Sequence, residues 1–455
     1  MAITPDIPAE LRDWNAQTTS IAIADQRKGE LLLATVKDGD CPSDLSKLFS
    51  AAAGQGLAID GCPVEVKSFD LQGITVSYFD WSAEGNTAEI APELDVECWD
   101  AVDDGRHNSN SFMTHWRGEF WLIHANSPFH FATPECKLIL WRSKDAKEWT
   151  QVTTFQVPNE DIRDPKLSVI NDKLFIYILK SFVSDGSEPY TTAVVYTEDG
   201  VNFSEMREIF NCHGWLFWNP RTFDNKTWYV PAYWGGHGES VVLKTTDGLH
   251  FEPVSYIHAG RKGFENDMND ETDFAFLNDG TLLSVQRLEY THDINSDPRC
   301  CTNITKAAPP YDTWTELGKD FSTRLDGPNL FTYNGRVYAV GRRNGFDLDK
   351  RHHSGSALGR KRTSVYEVTE KGLVLLSDLP SSGDTAYGGS VMLGDDLYAC
   401  YYSSDITKDW PWVIGMMSPS NIKMVKLSLA RLEALADKRR REYDEKSLYR
   451  FIVEE

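Results

Sequence analysis

The stretches Ser143-Lys-Asp-Ala-Lys-Glu-Trp149, Thr197-Glu-Asp-Gly-Val-Asn-Phe203 and Thr245-Thr-Asp-Gly-Leu-His-Phe251 are three copies of one pattern, and they start 54 and 48 residues apart. The shared pattern is Ser/Thr-x-Asp-Gly/Ala-x-x-aromatic. In such a turn the hydroxyl and the carboxylate accept hydrogen bonds from backbone amides, and glycine supplies a positive φ. The aromatic ring then covers the underside of a sheet. The repeat therefore predicts hairpin corners at regular intervals in a β architecture.

Short apolar and aromatic runs surround these corners between residues 96 and 425, and each run follows a turn signal such as Asn278-Asp-Gly280 or Asn334-Gly335. Parallel βαβ units would need amphipathic helices between the strands, so this texture favours an all-β fold. About 330 residues at about 50 per unit predict a six-bladed β-propeller, with seven or five blades as alternatives. The predicted strands include Glu119–His124, Lys173–Ile178, Thr227–Tyr233, Thr281–Val285 and Arg336–Val340.

Two flanks border the predicted propeller of residues 96–425. Residues 1–95 predict a mixed α/β segment that could complete a blade, with a helix at Pro42–Ala53. Residues 426–455 predict a C-terminal helix and tail, because apolar side chains recur there at helical spacing. The flank strands are predicted at Glu30–Val36 and Ile74–Phe79, and the apolar helix positions are Leu429, Leu432, Leu435 and Ala436.

The chain has 46 Lys and Arg residues against 68 Asp and Glu residues, a formal net charge of −22. This charge argues against nucleic acid and anionic membrane surfaces as partners. No apolar stretch of about 18 residues occurs, so no membrane insertion is expected. The start lacks the basic and apolar layout of a secretory signal, which predicts a cytoplasmic protein if the sequence is complete and a secreted or periplasmic one if a leader was removed. The eight cysteines form no CxxC pair, and neither a metal nor a cofactor is expected.

Polar residues that border the apolar runs are the candidates for a binding pocket, because the strand ends of a propeller converge on one axis. Arg106 could bind a carboxylate through two hydrogen bonds, and His107 could act as an acid or base. His124 and His130 are candidates for hydrogen bonding or proton transfer. Three further charged residues directly precede later strands, and they either line the pocket or form structural ion pairs. They are Arg163, Asp164 and Arg221.

The strongest constellation lies between residues 269 and 289. Glu271 and Asp273 begin one predicted strand, Arg287 ends the next, and the Asn-Asp-Gly turn between them brings both ends to the same side. Arg342 follows its strand in the same way. A glycine-rich loop then presents Asp384 and Tyr387, and glycine on both sides permits close approach of a ligand.

In this order the residues resemble the sialidase superfamily, whose propellers carry the repeat above under the name Asp-box or BNR repeat. The resemblance implies an arginine triad of Arg106, Arg287 and Arg342 that binds a carboxylate. It also implies a Tyr387 nucleophile whose proton passes to Glu271. Arg106 is followed by His-Asn rather than the Ile-Pro of sialidases. The nearest acidic residue for the acid/base role is Asp164.

Three functions fit this pocket. The first is an exo-acting glycoside hydrolase on a neutral or acidic sugar, with Tyr387 and Glu271 at the reaction centre. The second is a polysaccharide lyase, in which an arginine neutralises a uronate while His107, His124 or Tyr387 removes the C5 proton. The third is a propeller that binds an oligosaccharide or polysaccharide without catalysis. For all three the sequence predicts an acidic exterior around an arginine-lined axial pocket.

Overall fold

The computed structural model describes most of the chain from residue 88 onward, with strand segments before it. No helix within these residues is both long and apolar enough to cross a bilayer. The predicted helix Pro42–Ala53 lies outside the described residues. The described ranges are 20–23, 30–35, 58–59, 62–63, 65–71, 74–80, 88–182, 190–234, 238–258, 268–289, 301–344, 360–446 and 451–452.

The N-terminal flank contributes its own small sheets. Among the described residues its strands pair only with one another, in the order β1-β2-β6-β5 for the larger sheet and β3-β4 for the smaller. β2 and β6 run parallel, and the other pairs are antiparallel. The strands are β1 Ser20–Ile23, β2 Glu30–Thr35, β3 Ala58–Ile59, β4 Cys62–Pro63, β5 Glu65–Leu71 and β6 Ile74–Asp80.

The repeat region folds into a β-propeller of antiparallel sheets. It begins, after a 3-10 turn at Pro92–Leu94, with β7 Glu97–Val102, β8 His107–Trp116, β9 Glu119–Ser127, β10 Lys137–Ser143 and β11 Thr150–Phe155. Two separate blades follow, with β12 Glu160–Ile170, β13 Lys173–Phe182, β14 Thr191–Thr197 and β15 Arg207–Glu208 in one. The other holds β16 Trp215–Phe217, β17 Arg221–Thr222, β18 Trp228–Trp234, β19 Ser240–Thr245 and β20 Glu252–His258.

Two more separate blades and the closing strands complete the ring. One blade holds β21 Met268–Phe276, β22 Leu282–Glu289, β23 Cys301–Ala307 and β24 Thr315–Asp320, and the next holds β25 Asp326–Tyr333, β26 Arg336–Asn344, β27 Lys361–Thr369 and β28 Gly372–Asp378. The closing strands are β29 Thr385–Ala386, β30 Ser390–Leu393, β31 Asp396–Ser404 and β32 Ser420–Ser428, with the short helix α1 Trp412–Met417 before β32.

The first and last strands of the propeller share one nine-stranded sheet. β32 pairs antiparallel with β31 on one side and with β7 on the other, where Lys426 lies opposite Glu97. β32 also meets β8 in a single parallel pair, Ser420 opposite His107. Strand β7, the first of the propeller, therefore closes the ring by pairing with β32, more than 300 residues later in the chain.

The three repeated turns have the hydrogen bonds that their sequences predict. Thr197 Oγ1 accepts a hydrogen bond from the Gly200 amide at 2.9 Å, and one oxygen of Asp199 accepts two amides at 2.8 and 2.9 Å. Asp145 and Asp247 each accept two turn amides in the same way. Thr245 Oγ1 also accepts the Gly248 amide, whereas Ser143 Oγ accepts the Asp145 amide. The fourth position of each turn has a positive φ, in Ala146, Gly200 and Gly248 alike.

The C-terminal helix α2, Leu429–Lys446, packs on the propeller. Its predicted apolar positions, Leu429, Leu432, Leu435 and Ala436, are all buried in a core shared with strands β28, β31 and β32. The last strand, β33 Phe451–Ile452, pairs with β24. The all-β propeller with a C-terminal helix is thus confirmed. Four blades are separate sheets, and the count of six stays a prediction.

Candidate active site

β-bulges interrupt four strands that supply residues of the candidate site. The pairing register shifts between Ser109 and Phe112 in β8, between Arg163 and Lys166 in β12, between Asn269 and Thr272 in β21, and between Asp326 and Asn329 in β25. A bulge leaves one residue unpaired and re-aims its side chain. The residues inside these four bulges include Asn110, Asp164, Glu271 and Gly327.

The side chains of Tyr387, Glu271 and Arg287 meet in a buried triangle. The Tyr387 hydroxyl donates a short hydrogen bond to Glu271 Oε1. Arg287 Nη1 lies 3.0 Å from the same carboxylate oxygen and donates to the tyrosine oxygen at 3.1 Å. The second oxygen, Glu271 Oε2, accepts the Gly327 amide at 2.6 Å. The three side chains are only 5–8% exposed, so every polar atom of the triangle works in a water-poor environment.

Burial sets the ionisation of this triangle. It raises the pKa of Glu271 to about 6, against the opposing effect of the Arg287 charge. It also raises the pKa of Tyr387 well above 10, and the Glu271 carboxylate adds to that rise. The tyrosine is therefore a neutral phenol whose proton already points at a carboxylate able to accept it.

The loop before β30 holds Tyr387 in a strained conformation. Ala386 and Tyr387 both have positive φ values, 92° and 49°, which non-glycine residues rarely adopt. Ser111 Oγ donates to the Tyr387 carbonyl at 3.0 Å and fixes the loop to β8. A Cβ on Gly388 would lie 1.7 Å from the carbonyl oxygen of Cys400, so only glycine fits there. Strain of this kind persists where surrounding contacts enforce it, and it concentrates at functional sites.

Three arginine side chains surround the Asp326 carboxylate, beside the triangle of Tyr387, Glu271 and Arg287. Arg324 binds it through two hydrogen bonds of 2.6 and 2.8 Å, and Arg342 lies 3.0 Å from Oδ2. Arg287 Nε is 3.4 Å from Oδ1. The three guanidinium charges hold the pKa of Asp326 well below its usual range, despite complete burial.

A second cluster forms around Asp384. His107 Nε2 and His130 Nδ1 lie 3.2 and 2.6 Å from Asp384 Oδ2. Tyr402 and Trp412 donate to Oδ1 at 3.0 and 2.8 Å. Arg342 connects the two clusters, because its Nη1 is 3.6 Å from Asp384 Oδ1 and its guanidinium lies 5.0 Å from the centre of the Tyr387 ring.

Two predicted pocket residues lie apart from these clusters. Arg106 forms no ion pair among the described residues, and its buried Nε has no hydrogen-bond partner. Arg324, rather than Arg106, joins Arg287 and Arg342. His124 is buried in the first sheet, where its Nε2 accepts the Trp141 indole N–H at 3.0 Å. Burial lowers the pKa of His124 to about 4, so it is a neutral core histidine.

The remaining predicted charges mostly pair with one another. Arg221 forms two hydrogen bonds of 3.1 and 2.5 Å to Asp273, which ties two blades together. Arg163 binds Asp161 at 2.5 and 2.9 Å and also donates to the His130 carbonyl. Asp164 sits in the β12 bulge with a positive φ of 46°, where it accepts a short hydrogen bond from Asn110.

Sequence reasoning missed five residues of these clusters. Arg324 and Asp326 belong to the run Thr323-Arg-Leu-Asp-Gly-Pro-Asn329 directly before an apolar strand, which is the same signal that pointed to Arg163 and Asp164. Asp270 is adjacent to Glu271, and Arg287 Nε lies 3.5 Å from it. Nothing local distinguishes Tyr402 and Trp412 from the many other aromatic residues of the chain.

Comparison with solved structures supports the fold. A chain of unknown function from Dyadobacter fermentans is 13% identical, with a TM-score of 0.53, over 73% of this chain and 99% of that one. A Trypanosoma rangeli sialidase mutant with trans-sialidase activity is 12% identical, with a TM-score of 0.53. The same sialidase bound to 2,3-difluoro-KDN gives 13% and 0.54. This chain shares their fold.

These matches show the fold of this chain and not its chemistry. Both sialidase matches cover 79% of this chain but only 62% of the sialidase chain. No protein-family model and no curated protein sequence matches this chain. The shared fold does not define the chemistry of this site, which depends on its own residues.

Proposed function

We propose that this protein is an exo-acting glycoside hydrolase that uses Tyr387 as its nucleophile. The observation that carries the proposal is the short hydrogen bond from the Tyr387 hydroxyl to the buried Glu271 carboxylate, with Arg287 beside both. A phenol that donates a hydrogen bond to an adjacent base can pass its proton to that base as it attacks, which activates it as a nucleophile. The reacting groups are almost fully buried, which favours the end of a sugar chain over its middle. The sialidase fold of two structural neighbours supports a sugar as the substrate.

In the proposed first step, Tyr387 Oη attacks the anomeric carbon and the glycosidic C–O bond breaks. The phenolic proton passes to Glu271, and the leaving oxygen takes a proton from an acid. In the second step, water attacks the glycosyl-tyrosine, the acid recovers a proton from that water, and Glu271 returns its proton to the tyrosine. Arg287 stabilises the phenolate character that develops on the oxygen in both steps.

Asp164 is the acid that we propose for these steps. It lies in the bulge of β12, as Glu271 lies in the bulge of β21. Burial lowers the pKa of the Lys166 ammonium, and the nearby carboxylates of Asp164 and Glu271 oppose that effect. Lys166 in turn lies 4.0 Å above the Trp218 ring, whose centre is 6.3 Å from that of Tyr387. Lys166 and Trp218 thus connect Asp164 to the nucleophile, which supports its assignment as the acid.

The charge of the pocket favours recognition through sugar hydroxyl groups. Arg287, Arg324 and Arg342 all face Asp326, which occupies the place that a substrate carboxylate would need. Asp270 and Glu271 also lie against Arg287, and Asp384 lies against Arg342, so the three arginines offer no uncompensated charge to an acidic sugar. We propose that a carboxylate on the substrate is not required, in contrast to the triad that the sequence suggested.

The test is turnover of a panel of nitrophenyl glycosides that includes neutral sugars, uronides and sialosides. On the best substrate, Tyr387→Phe and Glu271→Gln should lower kcat/KM by at least about 1,000-fold. The matched control is Tyr177→Phe, which removes a buried hydroxyl bonded to the Gly248 carbonyl at 3.0 Å in a blade core. It should change kcat/KM by less than about threefold.

Three outcomes would contradict the proposal. An unsaturated product that absorbs in the ultraviolet, formed from a uronate polymer, would show the polysaccharide lyase instead. Sugar binding without turnover on any substrate would show a binding propeller. Loss of activity in the Tyr177 variant equal to that of the Tyr387 variant would mean that folding, not chemistry, explains the effect.

We further propose that the nine-stranded sheet is two blades, which makes six in total. The support is the single parallel pair between β8 and β32, where a continuous antiparallel ladder would otherwise run. One blade would be β8 to β11, and the other β29 to β32 with β7 as its outer strand. The turns at Asp145, Asp199 and Asp247 would then be Asp-boxes at the outer corners of successive blades. An experimental structure would test both statements.

A further inference from the structure

Two imidazole rings and one carboxylate converge beside the Tyr387 triangle. His107 Nε2, His130 Nδ1 and Asp384 Oδ2 all lie within 4.8 Å of one another. The His107 and Asp384 side chains are completely buried, while His130 keeps 19% of its side chain exposed. The cluster is thus closed on one side and reachable from the other.

The tautomer of His107 leaves a lone pair in the centre of this cluster. His107 Nδ1 lies 2.7 Å from the Ser418 carbonyl oxygen, which can only accept a hydrogen bond, so Nδ1 carries the proton. In the neutral ring Nε2 then has a lone pair, and it faces an oxygen of Asp384. Nε2 has no hydrogen-bond partner although the ring is fully buried. Two facing lone pairs repel, so a cation between them would stabilise the arrangement.

The surroundings prepare these groups to act as ligands. An Nδ1–H bonded to a backbone carbonyl is the contact that typically orients a metal-binding histidine. Asp384 Oδ1 is held by the Tyr402 hydroxyl and the Trp412 indole N–H, which aims Oδ2 at the two histidines. The His130 amide donates to the Met416 carbonyl at 2.8 Å and anchors that residue.

We propose that His107, His130 and Asp384 bind one divalent transition-metal ion of the zinc type. Two imidazoles and one carboxylate form a donor set that suits zinc, whereas calcium and magnesium prefer oxygen ligands. Ligand atoms about 2.1 Å from a tetrahedral ion lie about 3.4 Å apart. The His107–Asp384 distance of 3.2 Å already fits. His130 Nδ1 now lies 2.6 Å from Asp384 Oδ2 in a hydrogen bond, so it has to release that proton and withdraw by less than about 1 Å.

The proposed ion site lies next to the proposed nucleophile. Arg342 lies against Asp384 on one side and against the Tyr387 ring on the other. A sugar hydroxyl or a water molecule is the ligand that the open positions of the ion would take. This site extends the chemistry of the pocket beyond the proposed hydrolase, and metal binding can be tested without any substrate.

The test is calorimetric titration of the chelator-treated full chain with Zn²⁺, together with Co²⁺ absorption spectroscopy. We expect one Zn²⁺ per chain and the visible bands of tetrahedral cobalt. His107→Ala and His130→Ala should each weaken Zn²⁺ binding by at least about 100-fold. The matched control, His250→Ala, removes an exposed histidine that pairs with Asp247 on a surface turn, and it should bind as the wild type does.

Absence of binding by the wild type, or equal binding by the His130 variant, would overturn the proposal. If His107→Ala does not fold, the His130 variant still decides, because its ring is partly exposed and its loss leaves no buried cavity of comparable size. Circular dichroism of each variant separates lost binding from lost folding. Failure of this test leaves the roles of Tyr387 and Glu271 unaffected, since neither contacts the ion.

Discussion

Replacement of Gly327 by a larger residue should destabilise the protein, because Gly327 packs directly against the ring of Tyr387. Its φ is +58°, and a Cβ built on it would lie 2.7 Å from Cδ2 and 2.8 Å from Cγ of that ring. Carbon atoms normally stay about 3.5–4.0 Å apart. An alanine in this left-handed conformation costs about 1–2 kcal/mol by itself. Overpacking against the ring adds about 1–3 kcal/mol.

Gly327→Ala should therefore lower the free energy of unfolding by about 2–5 kcal/mol. Gly118→Ala is the control, since Gly118 has a φ of +79° and no atom within 4 Å of its added Cβ. It should cost only the backbone contribution of about 1–2 kcal/mol. Denaturant unfolding, monitored by the fluorescence of the 14 tryptophans, measures both variants.

A double-mutant cycle isolates the contact with the ring. In a Tyr387→Ala background the ring is gone, so Gly327→Ala should cost about 1–3 kcal/mol less than in the wild type. Displacement of the ring should also reduce kcat/KM about 100-fold on any substrate found by the panel above. If Gly327→Ala costs the same in both backgrounds, the ring does not rest on this glycine and the geometry of the triangle is wrong.

Three further predictions concern single carboxylates. As the pH rises from 4.5 to 6, the unfolding free energy of the wild type should fall by up to about 2 kcal/mol relative to that of Glu271→Gln. The reason is that the unfolded chain releases the Glu271 proton near pH 4.5, whereas burial raises the pKa in the folded protein to about 6. Unfolding measured over this pH range tests the prediction, and parallel curves for the two proteins would contradict it. Asp247→Ala should cost about 1 kcal/mol by calorimetry, since two turn amides lose their acceptor. Asp326→Asn should lower the free energy of unfolding by about 3–5 kcal/mol, because three buried guanidinium charges lose the carboxylate that they surround. Added sulfate, which can supply negative charge there, should raise the Tm of this variant more than that of the wild type.

The local features of this fold could be predicted from the sequence. A turn such as Thr245-Thr-Asp-Gly248 is determined by its own hydroxyl, carboxylate and glycine, so the pattern alone locates it. The helix at 429–446 follows from apolar spacing within the helix itself. Strand starts could be located for the same reason, since turn residues precede them directly. Glu271 and Arg287 could be paired because a short hairpin connects them.

The arrangement of distant segments could not be predicted in this way. The pairing of β7 with β32 depends on complementary edges far apart in the chain, and no local pattern records it. The bulges depend on the partner strand, so the sequence alone did not show that Asp326 would reach three arginines. Arg106 illustrates the same limit, because its neighbours in the chain suggested a place beside Arg287 and Arg342 that Arg324 occupies in the structure. The sequence also lacked any spacing that would join His107 and His130 to Asp384.

Closure of the ring by the first and last propeller strands has a consequence for synthesis in the cell. In a nascent chain β7 is the first propeller strand to leave the ribosome, and it can pair with β32 only after residue 428 has left the exit tunnel. Until then the inner blades can form, but β7 keeps open hydrogen-bonding groups on its edge. Folding therefore ends with a long-range step that is slow by its topology. Stop codons before residue 420 should yield open arcs that aggregate or are degraded, rather than smaller functional proteins.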